Sequence, residues 1–307
     1  MLTPLLILSG VGLVMAGLLA VGRKAFAVDV DERQEKIAEI LPGANCGGCG
    51  FPGCSGFAAA LVEGKADPAS CPPGGPELAV EIGAILGVEV EAKEPMVALV
   101  ACAGGDGESP SRAGYLGVSD CAAAHAVAGG PKSCPYGCLG LGSCIEACAF
   151  DAIVPTSNGL VMVDPEACTG CGKCVEACPR GIIRMVPKKR KVHVLCVNPD
   201  KAKAVKAACS VGCTGCKLCA KQTGAIAVDG ALASVVSDSE EIPGSAALAC
   251  PQGSIFDGGV YSLPDWLSGS EARADFSRRS AEWKKAEKER KAAEKKAKAE
   301  KAKEGEA

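Results

Sequence analysis

Aromatic residues make up only 4% of this 307-residue chain, with six Phe, three Tyr and two Trp. So few large rings leave little aromatic area to bury, and a cross-linking cofactor is the obvious substitute for a broad aromatic core. Histidine occurs twice, at His125 and His193, and neither stands among close-spaced cysteines. A Rieske centre needs two histidines on one iron, and most zinc fingers set His in register with Cys; both classes are therefore disfavoured. The two histidines read as ordinary surface or loop residues. Net charge is −3, so no basic bias points to nucleic acid. The sequence has no G-x-G-x-x-G opening a βαβ unit and no P-loop, which removes the usual nucleotide cradles.

What is abundant is glycine, 39 residues, and cysteine, 20 residues. An even cysteine count invites a disulfide scaffold, but such scaffolds belong to small secreted domains. Here many cysteines fall at C-x2-C spacing, the spacing of metal ligation. The length suits two or three small domains rather than one large one.

Pro4 to Val21 carries no charge and is rich in Leu, Val, Ala, Gly and Ile. That run is long enough to cross a bilayer core as a helix, and Gly10, Gly12 and Gly17 suit contact with a partner helix. Ala25-Phe26-Ala27 resembles a signal-peptide cleavage site. Against cleavage, no positive residue precedes the apolar run, and Arg23 and Lys24 follow it directly. The expectation is a retained single-pass anchor in the cell (inner) membrane. Its N-terminus lies outside and the cysteine-rich bulk on the cytoplasmic side, where thiolates stay reduced. Asp29 to Leu41 reads as a short helix. Met96 to Ala101 and Lys191 to Leu195 read as short β-rich runs, each ending near a cysteine. From Glu282 the chain is almost wholly Lys, Glu, Arg and Ala. It reads as a solvated charged helix with pairs such as Glu287–Lys291 and Glu294–Lys298.

Four cysteine groups carry the chemistry. The first is Cys46-x2-Cys49-x4-Cys54-x16-Cys71, crowded by Gly47, Gly48, Gly50 and Gly53. Glycine lets the backbone wrap closely and bring peptide N–H groups to sulfur, which favours a [4Fe–4S] cube over zinc. The second, Cys168-x2-Cys171-x2-Cys174-x3-Cys178-Pro179, is the bacterial ferredoxin run, whose fourth cysteine serves the other cluster. Cys148 is then placed to complete Cys168, Cys171 and Cys174. It ends the third run, Cys138-x5-Cys144-x3-Cys148, followed by Ala152-Ile153 as the later run is followed by Ile182-Ile183. This is an internal repeat. In that earlier run Leu141 stands where a cysteine is expected, so Cys138, Cys144 and Cys178 lack a partner. Cys134, a three-iron species or an outside ligand are the alternatives. The fourth group is Cys213-x2-Cys216-x2-Cys219, completed by Cys250, because Cys250-Pro251-Gln252-Gly253-Ser254-Ile255 echoes Cys178-Pro179-Arg180-Gly181-Ile182-Ile183. Cys102, Cys121, Cys196 and Cys209 remain. A fifth cluster and free buried thiols both stay open for them. The count expected is four [4Fe–4S] clusters, with room for a fifth.

The anchor, Asn45-Cys46-Gly47-Gly48-Cys49-Gly50-Phe51-Pro52-Gly53-Cys54, Cys71-Pro72-Pro73-Gly74-Gly75 and Gly137-Cys138-Leu139-Gly140-Leu141-Gly142 together resemble one family. It is the B subunit of the Rnf electron-transport complex, in the longer form with an extra ferredoxin-like segment. The resemblance covers about 1–255 and leaves the tail unexplained. It implies a membrane-bound subunit that takes electrons from reduced ferredoxin and passes them into a ferredoxin:NAD+ oxidoreductase coupled to Na+ or H+ translocation. Other membrane subunits of the complex would be its partners and would hold the flavin and NAD sites. No catalytic side chain is expected in this chain.

The resulting architecture is α+β. An anchor over 1–27 leads to a small [4Fe–4S] domain over 28–95 and a two-cluster ferredoxin-like domain over 96–190. A degenerate one-cluster ferredoxin-like segment follows over 191–258, then a charged tail over 259–307. Two other classes compete. A cluster-bearing subunit of a reductase with a soluble substrate would keep its function after loss of residues 1–27. A structural zinc protein would be colourless, not brown.

Overall fold

The computed structural model describes residues 2–25, 31–91, 93–237 and 241–258, together with scattered positions between 274 and 293. The first element, α1 (Leu2–Ala25), is a 24-residue helix about 36 Å long at 1.5 Å per residue. Its described side chains run from residue 9 to 22, and Val11, Leu13, Val14, Met15, Leu18, Leu19 and Val21 are all exposed. Among the described residues no helix is long and apolar enough to cross a membrane. Glu287, Lys291, Glu294 and Lys298 of the expected tail pairs lie outside the described residues.

The next unit is helical. In α2 (Glu32–Ile40) the cap is Asp31, whose carboxylate accepts the Arg33 N–H at 2.8 Å, satisfying one of the amides a helix start leaves open. Glu32 and Glu35 in the first turn complement the helix dipole. Helix α3 (Cys54–Val62) and α4 (Gly75–Leu86) follow, separated by two 3-10 turns at Pro68–Ser70 and Pro72–Gly74. The three helices close on Ile37, Leu41, Phe57, Ala58, Leu61, Leu78 and Ile82. Full burial of side chains such as Phe57 or Ile82 stabilises by about 1.5–3 kcal/mol each. Cys49, Cys54 and Cys71 pack on the edge of this small core.

The rest of the fold is two nested strand arrangements. In the first, β1 (Met96–Val100) pairs antiparallel with β4 (Ile183–Pro187), Met96 opposite Pro187 and Val100 opposite Ile183. Between them lie α5 (Cys121–Ala126), α6 (Ser143–Glu146), the hairpin β2 (Ile153–Pro155) and β3 (Val161–Val163), and α7 (Lys173–Ala177). In the second, β5 (Val192–Val194) pairs antiparallel with β8 (Ile255–Asp257). This pair encloses α8 (Ala202–Ala208), the hairpin β6 (Ile226–Asp229) and β7 (Leu232–Val235), and α9 (Ser245–Leu248). Ile153, Ile183 and Ile255, the three isoleucines that follow the cysteine runs, each open a strand and are buried. One continuous apolar core joins both arrangements, from Val97, Leu99 and Ile183 to Val194, Ile226 and Ile255.

His193 departs from expectation. It sits in β5, is 9% exposed, and stacks on Phe256 with ring centroids 6.4 Å apart. It is neither a surface nor a loop residue, because its neighbours Val192 and Val194 draw the whole strand into the core. Burial, with Arg190 nearby, holds its pKa down at about 4.

Candidate metal centres

All twenty cysteines carry free thiols, and they gather in five places. Cys46, Cys49, Cys54 and Cys71 surround one another beside the helical core. Burial, and then the neighbouring Cys49, Cys54 and Cys46, raise the Cys71 pKa. The Asn45 side chain accepts the Cys54 N–H at 2.9 Å and fixes the start of α3. Cys148, Cys168, Cys171 and Cys174 form the second place. Cys174 is pushed up to about 12 by burial first, then by Cys168 and Cys171, with Cys144 and Cys148 behind. The Ala98 N–H of β1 donates to Cys168 Sγ at 3.4 Å.

A third cavity, about 350 Å³, is lined by Cys121, Cys138, Cys144 and Cys178. Burial raises Cys144 to about 11, with Cys121 and then Cys178 adding to the effect. The structure thus brings Cys121, and not Cys134, to Cys138, Cys144 and Cys178, correcting the sequence expectation. The reason is a polar joint. Asp120 caps α5 by accepting the Ala123 N–H at 2.7 Å, and its other oxygen accepts from Ser143 Oγ at 2.8 Å. Ser143 Oγ in turn accepts the Cys121 N–H at 2.7 Å. The cap of one helix is therefore clamped to the residue before Cys144. Asp120, ahead of the small residues Cys121 to Ala124, is the N-cap signal that could have revealed it.

A fourth cavity, about 330 Å³, is lined by Cys213, Cys216, Cys219 and Cys250, the grouping read from the sequence. Burial raises Cys219 to about 11, with Cys250 the next cause. The fifth cavity, about 370 Å³, is lined by Cys102, Cys134, Cys196 and Cys209. Cys134 and Cys121 have therefore changed places relative to the sequence reading. Burial raises Cys196 to about 12 and Cys209 to about 11.

The backbone is shaped to approach these thiols. Gly170 and Gly215 hold the same place in Cys168-Thr169-Gly170-Cys171 and Cys213-Thr214-Gly215-Cys216, with φ of +75° and +64°. A Cβ on either would meet main-chain atoms, Met96 O at 2.4 Å and Ala231 Cα at 2.8 Å, so only glycine fits without strain. Crowded thiols at raised pKa give up their protons when a cation is there to take the charge, which is the donor chemistry of an iron–sulfur cage. Among the described residues no group of three or more His, Cys, Asp or Glu is drawn together as a single metal ion requires. A cube asks for a different cage, one iron at a separate corner beneath each thiolate. The free thiols, the peptide N–H groups aimed at sulfur and the tight glycine turns all fit such a group.

Comparison with known proteins agrees. A family model described as "Putative Fe-S cluster" matches residues 41–73, and one described as "4Fe-4S dicluster domain" matches residues 135–185. The B subunit of the ion-translocating oxidoreductase complex of Methanosarcina acetivorans is 42% identical over 257 residues, covering 83% of this chain and 97% of that protein. The chain belongs to the B-subunit family of ion-translocating (Rnf) oxidoreductase complexes. Two further members match over less of their length. The B subunit of the Na(+)-translocating ferredoxin:NAD(+) oxidoreductase complex of Acetobacterium woodii is 42% identical, over 69% of this chain and 64% of its own. Its counterpart in the proton-translocating ferredoxin:NAD(+) oxidoreductase complex of Clostridium ljungdahlii is 41% identical, over 68% and 74%. As a family member the chain is an iron–sulfur electron-transfer subunit of an oxidoreductase that moves ions.

Proposed function

We propose that this subunit takes electrons from reduced ferredoxin and passes them one at a time into a membrane complex that reduces NAD+ and moves Na+ or H+. The observation that carries this reading is the contiguity of the thiol groups. A Cβ on Gly48, between Cys46 and Cys49, would lie 3.0 Å from Cys171 O and 3.1 Å from its Cα, so the first two groups meet main chain to main chain. Cys144 is among the neighbours that raise Cys174, which joins the second group to the third. Cys46, Cys49, Cys54 and Cys71 are half-buried, as are Cys148, Cys168, Cys171 and Cys178, and Cys216 is exposed, while Cys102, Cys138, Cys144 and Cys174 are buried. Half-buried thiols at the first group and the exposed Cys216 at the other end suit transfer between a soluble donor and an acceptor subunit.

The ligand sets proposed are Cys46, Cys49, Cys54 and Cys71; Cys148, Cys168, Cys171 and Cys174; Cys121, Cys138, Cys144 and Cys178; and Cys213, Cys216, Cys219 and Cys250. When bound, [4Fe–4S] clusters supply one-electron storage at potentials that the surrounding N–H bonds and burial adjust. The protein's own part is to fix spacing, exclude water and aim donors such as Ala98 N–H at sulfur.

The single-pass anchor is part of the proposal. The 24-residue α1 has no acidic residue in its first turn and presents Leu13, Leu18 and Leu19 outward. Arg23 and Lys24 follow the apolar run, which places the N-terminus outside and the cluster domains on the cytoplasmic side. The domain limits 1–27, 28–95, 96–190, 191–258 and 259–307 go with it. The test is Cys171→Ala in the assembled complex. It should lose about four irons per chain and abolish reduction by ferredoxin; unchanged iron and unchanged electron uptake would overturn the reading. Deleting residues 1–27 should release the chain from the membrane fraction, and retention there would remove the anchor.

A further inference from the structure

The cavity lined by Cys102, Cys134, Cys196 and Cys209 is built like the two described beside it. Each of the three is lined by four cysteines. This one draws two thiols from each strand arrangement, Cys102 and Cys134 from the first, Cys196 and Cys209 from the second. Sulfurs here accept amide hydrogens, and two of the donors are residues of the flanking groups. Cys138 N–H reaches Cys102 Sγ at 3.4 Å, and Cys213 N–H reaches Cys196 Sγ at 3.3 Å. The Asn198 side-chain amide lies 3.6 Å from Cys134 Sγ.

The joint across the cavity is made by a serine that is 1% exposed. Ser109 Oγ accepts the Cys134 N–H at 3.3 Å and donates to the Ala208 carbonyl, next to Cys209, at 2.9 Å. Positive charge is in place as well. Lys132 is 3% exposed, donates to Gly104 O at 3.0 Å and lies 3.4 Å from Asp106. Arg180 donates to the carbonyls of Cys134, Gly137 and Gly129. Lys132 is offset by Asp106, whereas half-buried Arg180 is held by carbonyls, and a cation out of water is costly unless a negative group offsets it. A cube with four thiolate ligands is such a group.

We propose that Cys102, Cys134, Cys196 and Cys209 hold a fifth [4Fe–4S] cluster, which joins the third and fourth thiol groups into one electron path. The inference rests on the iron–sulfur reading above, and it makes the C-terminal ferredoxin-like segment part of a continuous series and not a side branch.

Iron and acid-labile sulfide analysis of the full chain purified anaerobically, with low-temperature EPR after reduction, decides it. About twenty irons with matching sulfide are expected, five cubes of four. About sixteen would overturn the fifth cluster and leave the rest of the reading intact, whereas little iron would end both. Cys209→Ala should drop the count by about four and remove one EPR component while sparing those lost in Cys171→Ala and Cys219→Ala; an unchanged count would refute the ligand set. Should Cys209→Ala fail to fold, Cys134→Ser keeps an oxygen ligand at one corner. It should shift one EPR component, and a spectrum identical to the parent's would overturn the assignment.

Discussion

Replacing Gly170 with alanine should loosen the second thiol group by an amount the structure sets. Gly170 has φ +75°, and a Cβ there would sit 2.4 Å from the Met96 carbonyl oxygen and 3.4 Å from its carbon. Two costs add. A non-glycine residue in the left-handed region costs roughly 1–2 kcal/mol. The contact is with main chain in β1, which cannot rotate aside, and overpacking of that kind adds about 1–3 kcal/mol. Gly172, two residues on, has φ +77° and nothing within 4 Å of its would-be Cβ, so Gly172→Ala bears only the first cost. Gly170→Ala should therefore be destabilised by roughly 2–5 kcal/mol and Gly172→Ala by roughly 1–2 kcal/mol. The assay is anaerobic guanidinium unfolding followed by loss of visible cluster absorbance. Because Ala98 N–H donates to Cys168 Sγ, any shift of β1 should also move the potential of the EPR component that Cys171→Ala removes. Equal midpoints for the two alanine variants, with no change in that potential, would refute the reasoning.

Three other outcomes follow from the same structure. Cys121→Ala should remove the EPR component that Cys178→Ala removes, since both line one cavity; loss of the component that depends on Cys209 would show the exchange of Cys121 and Cys134 to be wrong. His193 binds a proton only below about 4 in the folded chain, against 6.5 ordinarily. The unfolded chain thus holds more protons between those values, and stability falls as pH drops through that window, by up to about 3 kcal/mol. His193→Phe, which keeps the stack on Phe256, should flatten that part of the stability–pH curve relative to the parent, and parallel curves would contradict it. Phe57→Ala removes a fully buried ring that touches Phe51, with centroids 5.7 Å apart. It should cost about 3–5 kcal/mol and release the iron of Cys46, Cys49, Cys54 and Cys71 first under a chelator; release in the parent's order would argue against coupling of that core to that site.

The groups legible in the sequence were those whose ligands follow one another along the chain or repeat a motif. Cys46 to Cys71 and Cys213 to Cys219 are local runs, and the Cys-Pro-x-Gly pattern at Cys178 and Cys250 carried the fourth ligand of the last group. Two strands were legible as β-rich runs ending near a cysteine: Met96 to Ala101 contains β1 and Lys191 to Leu195 contains β5. Cys121 was not, because it joins Cys144 through Asp120 and Ser143, a clamp between helices 22 residues apart. Cys134 looked local to Cys138 but turns the other way, tied through Ser109 to Ala208, 99 residues from that serine. Spacing along a chain carries no information about contacts of that range, and the burial of His193 was hidden for the same reason.

Under the proposed ligand sets, the sharing of thiols between runs also orders the completion of each set along the chain. The first four cysteines are complete once Cys71 has been added. The next two cages interlock: one waits for Cys174 to join Cys148, the other for Cys178 to join Cys121, Cys138 and Cys144. Both sets are completed within four residues of each other, at Cys174 and Cys178, and β4, which pairs with β1, begins only afterwards, at Ile183. Along the chain, therefore, the strand that pairs with β1 follows the last thiol of both sets.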